Sequence, residues 1–147
     1  MREIIKPPMT ENSITKEIVD AAYQIHTRLG PGLLESVYET VMAYELSRRG
    51  LHTLRQHAIP IVYEEVRIDP GFRADLLVED KVIVEIKSVE TLAPVHKKQL
   101  LTYLRLAGKR LGVLINFHVP LIKDGITRIV NGLEDGSQAK SPSPGNA

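Results

Sequence analysis

The chain has 147 residues, 43% of them hydrophobic and 25% charged, with a formal charge of +1 and no cysteine. That suffices for one domain with a real core and is too short for two comfortable ones. The charge balance excludes any inference of nucleic-acid binding from bulk charge, and the lack of cysteine excludes disulfides and thiolate metal sites.

Residues 1–12 read as a loosely held arm, with Pro7-Pro8 blocking helix. A helix is expected from about Ser13 or Ile14 to Leu29, because Ile14, Ile18, Ala21, Ala22, Ile25 and Leu29 recur at helical spacing before Gly30. Gly30-Pro31-Gly32 breaks the chain, and a second helix is expected from about Leu33 to Arg49, stopped by Gly50. Its apolar stripe reads Leu34, Val37, Tyr38, Val41, Tyr44 and Leu46. Glu35 sits in the first turn, where the helix dipole favours a carboxylate and supplies a purely structural reason for it. A functional reason would be a third acid reaching toward the hairpin described next.

From Leu51 the period shifts toward two. Thr53 to Ile59 reads as a strand ended by Pro60, and Ile61 to Glu65, with Arg67-Ile68 beyond, as another. Asp69-Pro70-Gly71 is strong turn chemistry, so a meander of three strands is expected up to Ser88. Within it, Phe72–Val78 and Val82–Ser88 flank Glu79-Asp80-Lys81, a β-hairpin signal. With the turn centred on Asp80, Asp75 falls opposite Glu85 and Arg73 opposite Lys87. Phe72, Ala74, Leu76 and Val78 then share an apolar face with Val82, Val84 and Ile86, leaving Arg73, Asp75, Glu85 and Lys87 on the other. Two adjacent carboxylates repel unless a cation lies between them, and with a backbone carbonyl they suit a hard divalent ion such as Mg²⁺. The alternative is a solvent-facing surface of ordinary cross-strand ion pairs.

Pro94 is suited to the first turn of a third helix, which runs to about Ala107 before Gly108. His96, Gln99 and Tyr103 share one face of it, Leu100, Leu101, Leu104 and Leu106 supply packing surface, and Lys97-Lys98 form a small basic patch. Arg110 to Phe117 reads as a buried strand, joined to the hairpin by a right-handed crossover as a parallel neighbour. A turn at Lys123-Asp124-Gly125 leads to an edge strand, Ile126 to Val130. The tail from Glu134 lacks an apolar anchor and is expected to be disordered, which leaves 13–133 as the folded domain. The five histidines, His26, His52, His57, His96 and His118, show no zinc spacing. No stretch has signal-peptide or membrane-span character, so a cytoplasmic protein with no membrane partner is expected.

Gly32 to Tyr38 reads G-x-x-E-x-x-Y, Asp75 with Glu85-Ile86-Lys87 reads D…E-x-K, and Gln99 with Tyr103 reads Q-x-x-x-Y. In this order the three resemble the GxxExxY protein family, whose members look like PD-(D/E)XK-superfamily nucleases, over roughly Ile14 to Val130. The resemblance implies an α/β, restriction-endonuclease-like core, a central mixed β-sheet flanked by α-helices. It further implies that Asp75 and Glu85 hold Mg²⁺ or Mn²⁺ with the backbone carbonyl of Ile86, and that Glu35 reaches the metal directly or through water. Lys87 would orient or activate the attacking water, and Gln99 and Tyr103 would position the site and a substrate phosphate. His96 is a weaker candidate for the same surface. Ala74 stands where the motif name has proline, a departure the superfamily tolerates.

The implied activity is metal-dependent phosphodiester hydrolysis of DNA or RNA. The alternative is a nucleic-acid- or protein-binding module that keeps the fold without turnover. The basic surface is modest, limited to the pairs Arg48-Arg49, Lys97-Lys98 and Lys109-Arg110. A homo-oligomer or a protein partner therefore has room to supply substrate grip.

Overall fold

Thr10 opens the first helix: its hydroxyl accepts from Ser13 N–H at 3.1 Å, an N-cap that starts α1 at Glu11 and carries it to Leu29. The structure, a computed structural model, describes residues 8–133. The helix therefore begins inside the stretch read as an arm. Met9 packs against the core, and Lys81 Nζ donates to its carbonyl. The reading of a disordered tail from Glu134 lies outside the described residues.

Helix α2 spans Glu35–Arg48, with Leu34 still extended at its N-cap. Its buried residues are Tyr38, Glu39, Met42, Ala43, Glu45 and Leu46; of the predicted stripe, Tyr38 and Leu46 are buried and Val41 packs against the core, whereas Leu34, Val37 and Tyr44 are 73%, 37% and 67% exposed. Polar clamps set that rotation. Arg49 bonds Glu45 on its own helix and Glu17, Asp20 and Gln24 on α1, which turns the Glu45 side of α2 toward α1. Tyr38 stacks on Phe117 with ring centroids 4.3 Å apart. Its hydroxyl donates to Gly30 O and accepts from Leu33 N–H at 3.2 Å. The last residue of the G-x-x-E-x-x-Y pattern thus ties the α1–α2 loop to the core.

The remaining elements are β1 (Thr53–Tyr63), β2 (Val66–Val78), β3 (Val82–Lys87), α3 (Pro94–Ala107), β4 (Leu111–Asn116) and β5 (Ile126–Val130). They form one five-stranded sheet in the order β1-β2-β3-β4-β5. β3 and β4 are parallel and the other neighbours antiparallel. The expected parallel crossover through α3 and the edge strand β5 are both present.

The three-stranded meander forms, but it is cut differently from the expectation. β1 runs through Pro60 and β2 through Asp69-Pro70-Gly71, so the turn falls at Glu64-Glu65. The register explains how the strands absorb two prolines. Ile59 pairs with Phe72 and Ile61 with Ile68, so Pro60 faces the unpaired stretch Asp69 to Gly71, where no ladder N–H is lost. Gly71 is required there, since a Cβ would lie 2.3 Å from Ile61 Cγ1.

Helices α1 and α2 cover one face of the sheet, packing on Leu76, Val78, Val82, Val84, Ile86, Val113 and Ile115. Helix α3 covers the other, with Leu100 and Leu104 on Leu77, Ile83 and Leu114. Phe72 and Ala74 join this second cluster, whereas strict alternation assigned them to the face of Leu76 and Val78. The alternation inverts across Asp75. At the start of α3, His96 Nδ1 accepts from Ala93 N–H at 3.2 Å, a capping role. Gly108 ends the helix in the left-handed conformation. Among the described residues no helix is long and apolar enough to cross a membrane.

Replacing Tyr38 by Phe removes both hydroxyl bonds and leaves the ring stack, so it should cost about 1–2 kcal/mol. Thermal melts should show a Tm lower by several degrees, with exposed Tyr44→Phe as an unchanged control.

Candidate active site

The β2–β3 ladder runs from the turn through Val78↔Val82, Leu77↔Ile83 and Leu76↔Val84, and there it stops. The register is the expected one. Past that point the strands part. β3 stays on β4, pairing Glu85 with Leu114 and Lys87 with Asn116, while Arg73 pairs with Ala58 on β1. Arg73 therefore does not oppose Lys87.

Parting strands leave backbone N–H groups that must find new acceptors. The two acids supply them. Asp75 N–H donates to Glu85 Oε2 at 3.0 Å, and Ile86 N–H donates to Asp75 Oδ2 at 2.8 Å. Each carboxylate is thus fixed by the other's strand. The predicted meeting of Asp75 and Glu85 is real, but side chains make it where the ladder fails.

Glu85 is only 6% exposed. Burial, and next the charge of Asp75, push its carboxyl up to about 8. Asp75 is also raised, by burial foremost and by the charge of Glu39, against the Ile86 N–H and the Gln56 amide, which favour its ionised form. The charge of Lys87 draws both acids downward, yet its amine makes no ion pair or hydrogen bond with any described residue. Tyr103 stacks on Phe72 at 3.8 Å between centroids. Its hydroxyl is raised by burial and then by the charges of Glu85 and Asp75, which brings α3 to the same site.

A family model described as the PD-(D/E)XK nuclease superfamily matches residues 12–129. The chain belongs to that superfamily. Its mixed five-stranded sheet flanked by helices is the restriction-endonuclease-like core expected of one. Comparison with curated proteins gives no match. Among solved structures the chain is similar to the crystal structure of SSO0001, at 22% identity and a TM-score of 0.47. That likeness covers 86% of this chain and 61% of SSO0001, so this chain spans less than two thirds of that protein's length. It is also similar to an alkaline exonuclease, LHK-Exo, from Laribacter hongkongensis, at 18% identity and a TM-score of 0.44, covering 88% of this chain and 74% of that one.

Nucleases of the PD-(D/E)XK superfamily generally use divalent metals, and the donor set here fits one. Among the described residues no three His, Asp or Glu side chains gather into a metal cage. What converges is a pair of hard oxygen donors, with the Ile86 carbonyl next in the chain. Glu85 Oε1 has no partner among the described residues. A cation held by few protein oxygens, and otherwise by water and phosphate, is the usual Mg²⁺ arrangement.

The remaining predicted residues divide. Gln99 is exposed one turn before Tyr103. Glu35 is exposed, and its Oε2 accepts from Ser88 N–H at 3.3 Å; its charge is not among those that shift Asp75 or Glu85. The α2 acid whose charge does reach both is Glu39, 9% exposed. Arg55 Nε holds it at 3.3 Å and Gln56 Nε2 at 2.8 Å, and the same Gln56 nitrogen donates to Asp75 Oδ1 at 3.2 Å. Sequence reading missed Glu39 and Gln56. The available signal was a carboxylate set between Tyr38 and Met42 on the buried side of a helix.

Raised carboxyls make stability fall with pH. Folded Glu85 keeps its proton up to about 8 whereas an unfolded glutamate releases it near the ordinary 4.5, so the native state binds the extra proton across that window. In chelator, the Tm should drop as the pH is raised through this interval. Glu85→Gln should flatten the dependence; an equally steep curve in the variant would place the cause elsewhere.

Proposed function

We propose that this chain is a member of the GxxExxY family that hydrolyses phosphodiester bonds of DNA or RNA with Mg²⁺ or Mn²⁺ held by Asp75, Glu85 and the carbonyl of Ile86. The observation that carries this reading is the parting of β2 and β3, where buried Glu85 and half-buried Asp75 are each held by a backbone N–H of the other's strand and an unpaired lysine stands beside them. Structural ion pairs would consume the lysine; here it is left over. Bound divalent metal supplies charge neutralisation at the phosphate and a hydroxide-like water near neutral pH.

The chain's own groups do the rest. Hydrogen bonds to Asp75 N–H and Ile86 N–H hold both carboxylates in place before substrate arrives, so little reorganisation is needed. Lys87 orients the attacking water and offsets negative charge growing on the phosphoryl oxygens, without having to titrate. Tyr103 and Gln99, one turn apart on α3, border the site and position the phosphate. Glu39 is the third acid, and Glu35 steadies the chain leaving β3 through Ser88.

Substrate grip falls to few cations. Arg49 is occupied by Glu45, Glu17 and Asp20, Lys109 by Asp80 and Arg110 by Glu11. Arg73 is exposed close to the site, as are Lys97 and Lys98 on the first turn of α3. These are the groups assigned to the nucleic-acid backbone.

Calorimetry should show Mn²⁺ binding that Asp75→Asn abolishes. Incubated with single- and double-stranded substrates, the wild type should cleave at least one in the presence of Mn²⁺. Lys87→Ala should be slower by about 10²-fold or more, the size seen when one transition-state donor is removed. Mn²⁺ binding without cleavage of any substrate would instead identify a non-catalytic binding module. Equal cleavage by wild type and Lys87→Ala would remove the lysine from the chemistry.

A further inference from the structure

Gln56 has φ of 48°, a left-handed backbone conformation that a residue with a Cβ rarely adopts. Three other non-glycine residues described share it, Glu64, Glu79 and Asp80, and those lie in the two hairpin turns. Gln56 lies inside β1. The ladder pairs Arg55 with Leu76 and His57 with Ala74 but skips the pair between them, Gln56 and Asp75. This is the point where the sheet's alternation inverts, Leu76 facing α1 and α2 while Ala74 packs on the α3 side.

The consequence is chemical. The Gln56 side-chain nitrogen reaches two carboxylates at once, Glu39 Oε1 at 2.8 Å and Asp75 Oδ1 at 3.2 Å. A primary amide has two N–H donors, enough for one to each acid. Asp75 Oδ2 is already held by Ile86 N–H, so the second bond, at Oδ1, fixes rotation of the carboxylate about its own axis. Without it the group could turn about one anchor. The strained backbone and the bridging amide occur at the same residue, opposite the same acid.

We infer that Gln56 is a positioning residue: its left-handed kink delivers one amide between Glu39 and Asp75 and sets the plane in which Asp75 presents its oxygens. The inference rests on the proposed metal site, which Asp75 would serve. It gives β1, a strand with no motif residue, a part in the site. It also predicts that the backbone conformation and the amide can be separated, because glycine accepts positive φ and carries no side chain.

The test uses Gln56→Gly in the full chain. The variant should fold with a Tm no lower than wild type, since glycine relieves the kink. By nuclear magnetic resonance in chelator, the Ile86 N–H should exchange about tenfold faster, because Asp75 no longer holds it in one orientation. Mn²⁺ affinity by calorimetry should fall about 10–100-fold, the range for loss of an outer partner of a metal ligand. Gln56→Asn, with the amide one methylene short, should resemble the glycine variant in both readouts. Unchanged Ile86 exchange in folded Gln56→Gly overturns the inference. If the wild type binds no Mn²⁺, the metal reading fails by itself, and the Ile86 exchange rate alone decides the role of Gln56.

Discussion

The site exists because a β-ladder ends early. Past Leu76 and Val84, β2 keeps only its pairing with β1 and β3 only its pairing with β4, and the N–H groups of Asp75 and Ile86 lose their ladder acceptors. A hydrophobic sequence could not repair this gap; the unpaired donors would each cost on the order of 1–3 kcal/mol. Asp75 and Glu85 repair it with carboxylates. The repair has its own cost, two acids taken out of water beside further negative charge, visible in the upward shift of both groups, by burial foremost. A sheet selected for stability alone has cheaper solutions, such as letting the strands pair on. Persistent strain and perturbed acids at one spot are what functional sites share.

The surrounding fold keeps that gap open. β3 and β4 are packed on both faces by helices, so the Glu85 strand has no freedom to follow β2. On the other side the pull comes from β1, whose kink at Gln56 inverts the alternation of its partner. Helix α2 adds to this, rotated by the Arg49 clamp so that Glu39 rather than Val37 faces inward. Three elements distant in sequence therefore determine the conformation of one aspartate.

That division explains what could be read from the residues alone. The hairpin, its register, the parallel β4 and the span of α3 were legible because each is specified within a few residues, by alternation, by Pro94 and by Gly108. The β1–β2 turn was misplaced because Asp69-Pro70-Gly71 has strong local turn chemistry. The observed sheet instead accommodates it as an irregularity opposite Pro60, a choice decided by pairing along the whole of both strands. Three of the six stripe residues of α2 were misread for a similar reason: Leu34, Val37 and Tyr44 suit a helix core, but tertiary ion pairs set the rotation. Glu39 and Gln56 were invisible as a pair, since nothing local relates a helix acid to a strand amide 17 residues away.

The cations follow the same logic. Of the three basic pairs in the sequence, two are drawn into the fold: Arg49 joins α1 to α2, and Lys109 and Arg110 anchor the entry to β4. Among the described residues the side chains of Lys87, beside the acids, and of Lys97 and Lys98 on α3 make no ion pair or hydrogen bond, and the same holds for Lys16, Arg28, Arg105 and Lys123, while Arg73 donates to the Gln56 carbonyl at 3.5 Å. Under the nuclease reading, Lys87 meets the phosphate at the site itself, and the other unpaired cations are the groups left to meet the rest of the nucleic-acid backbone.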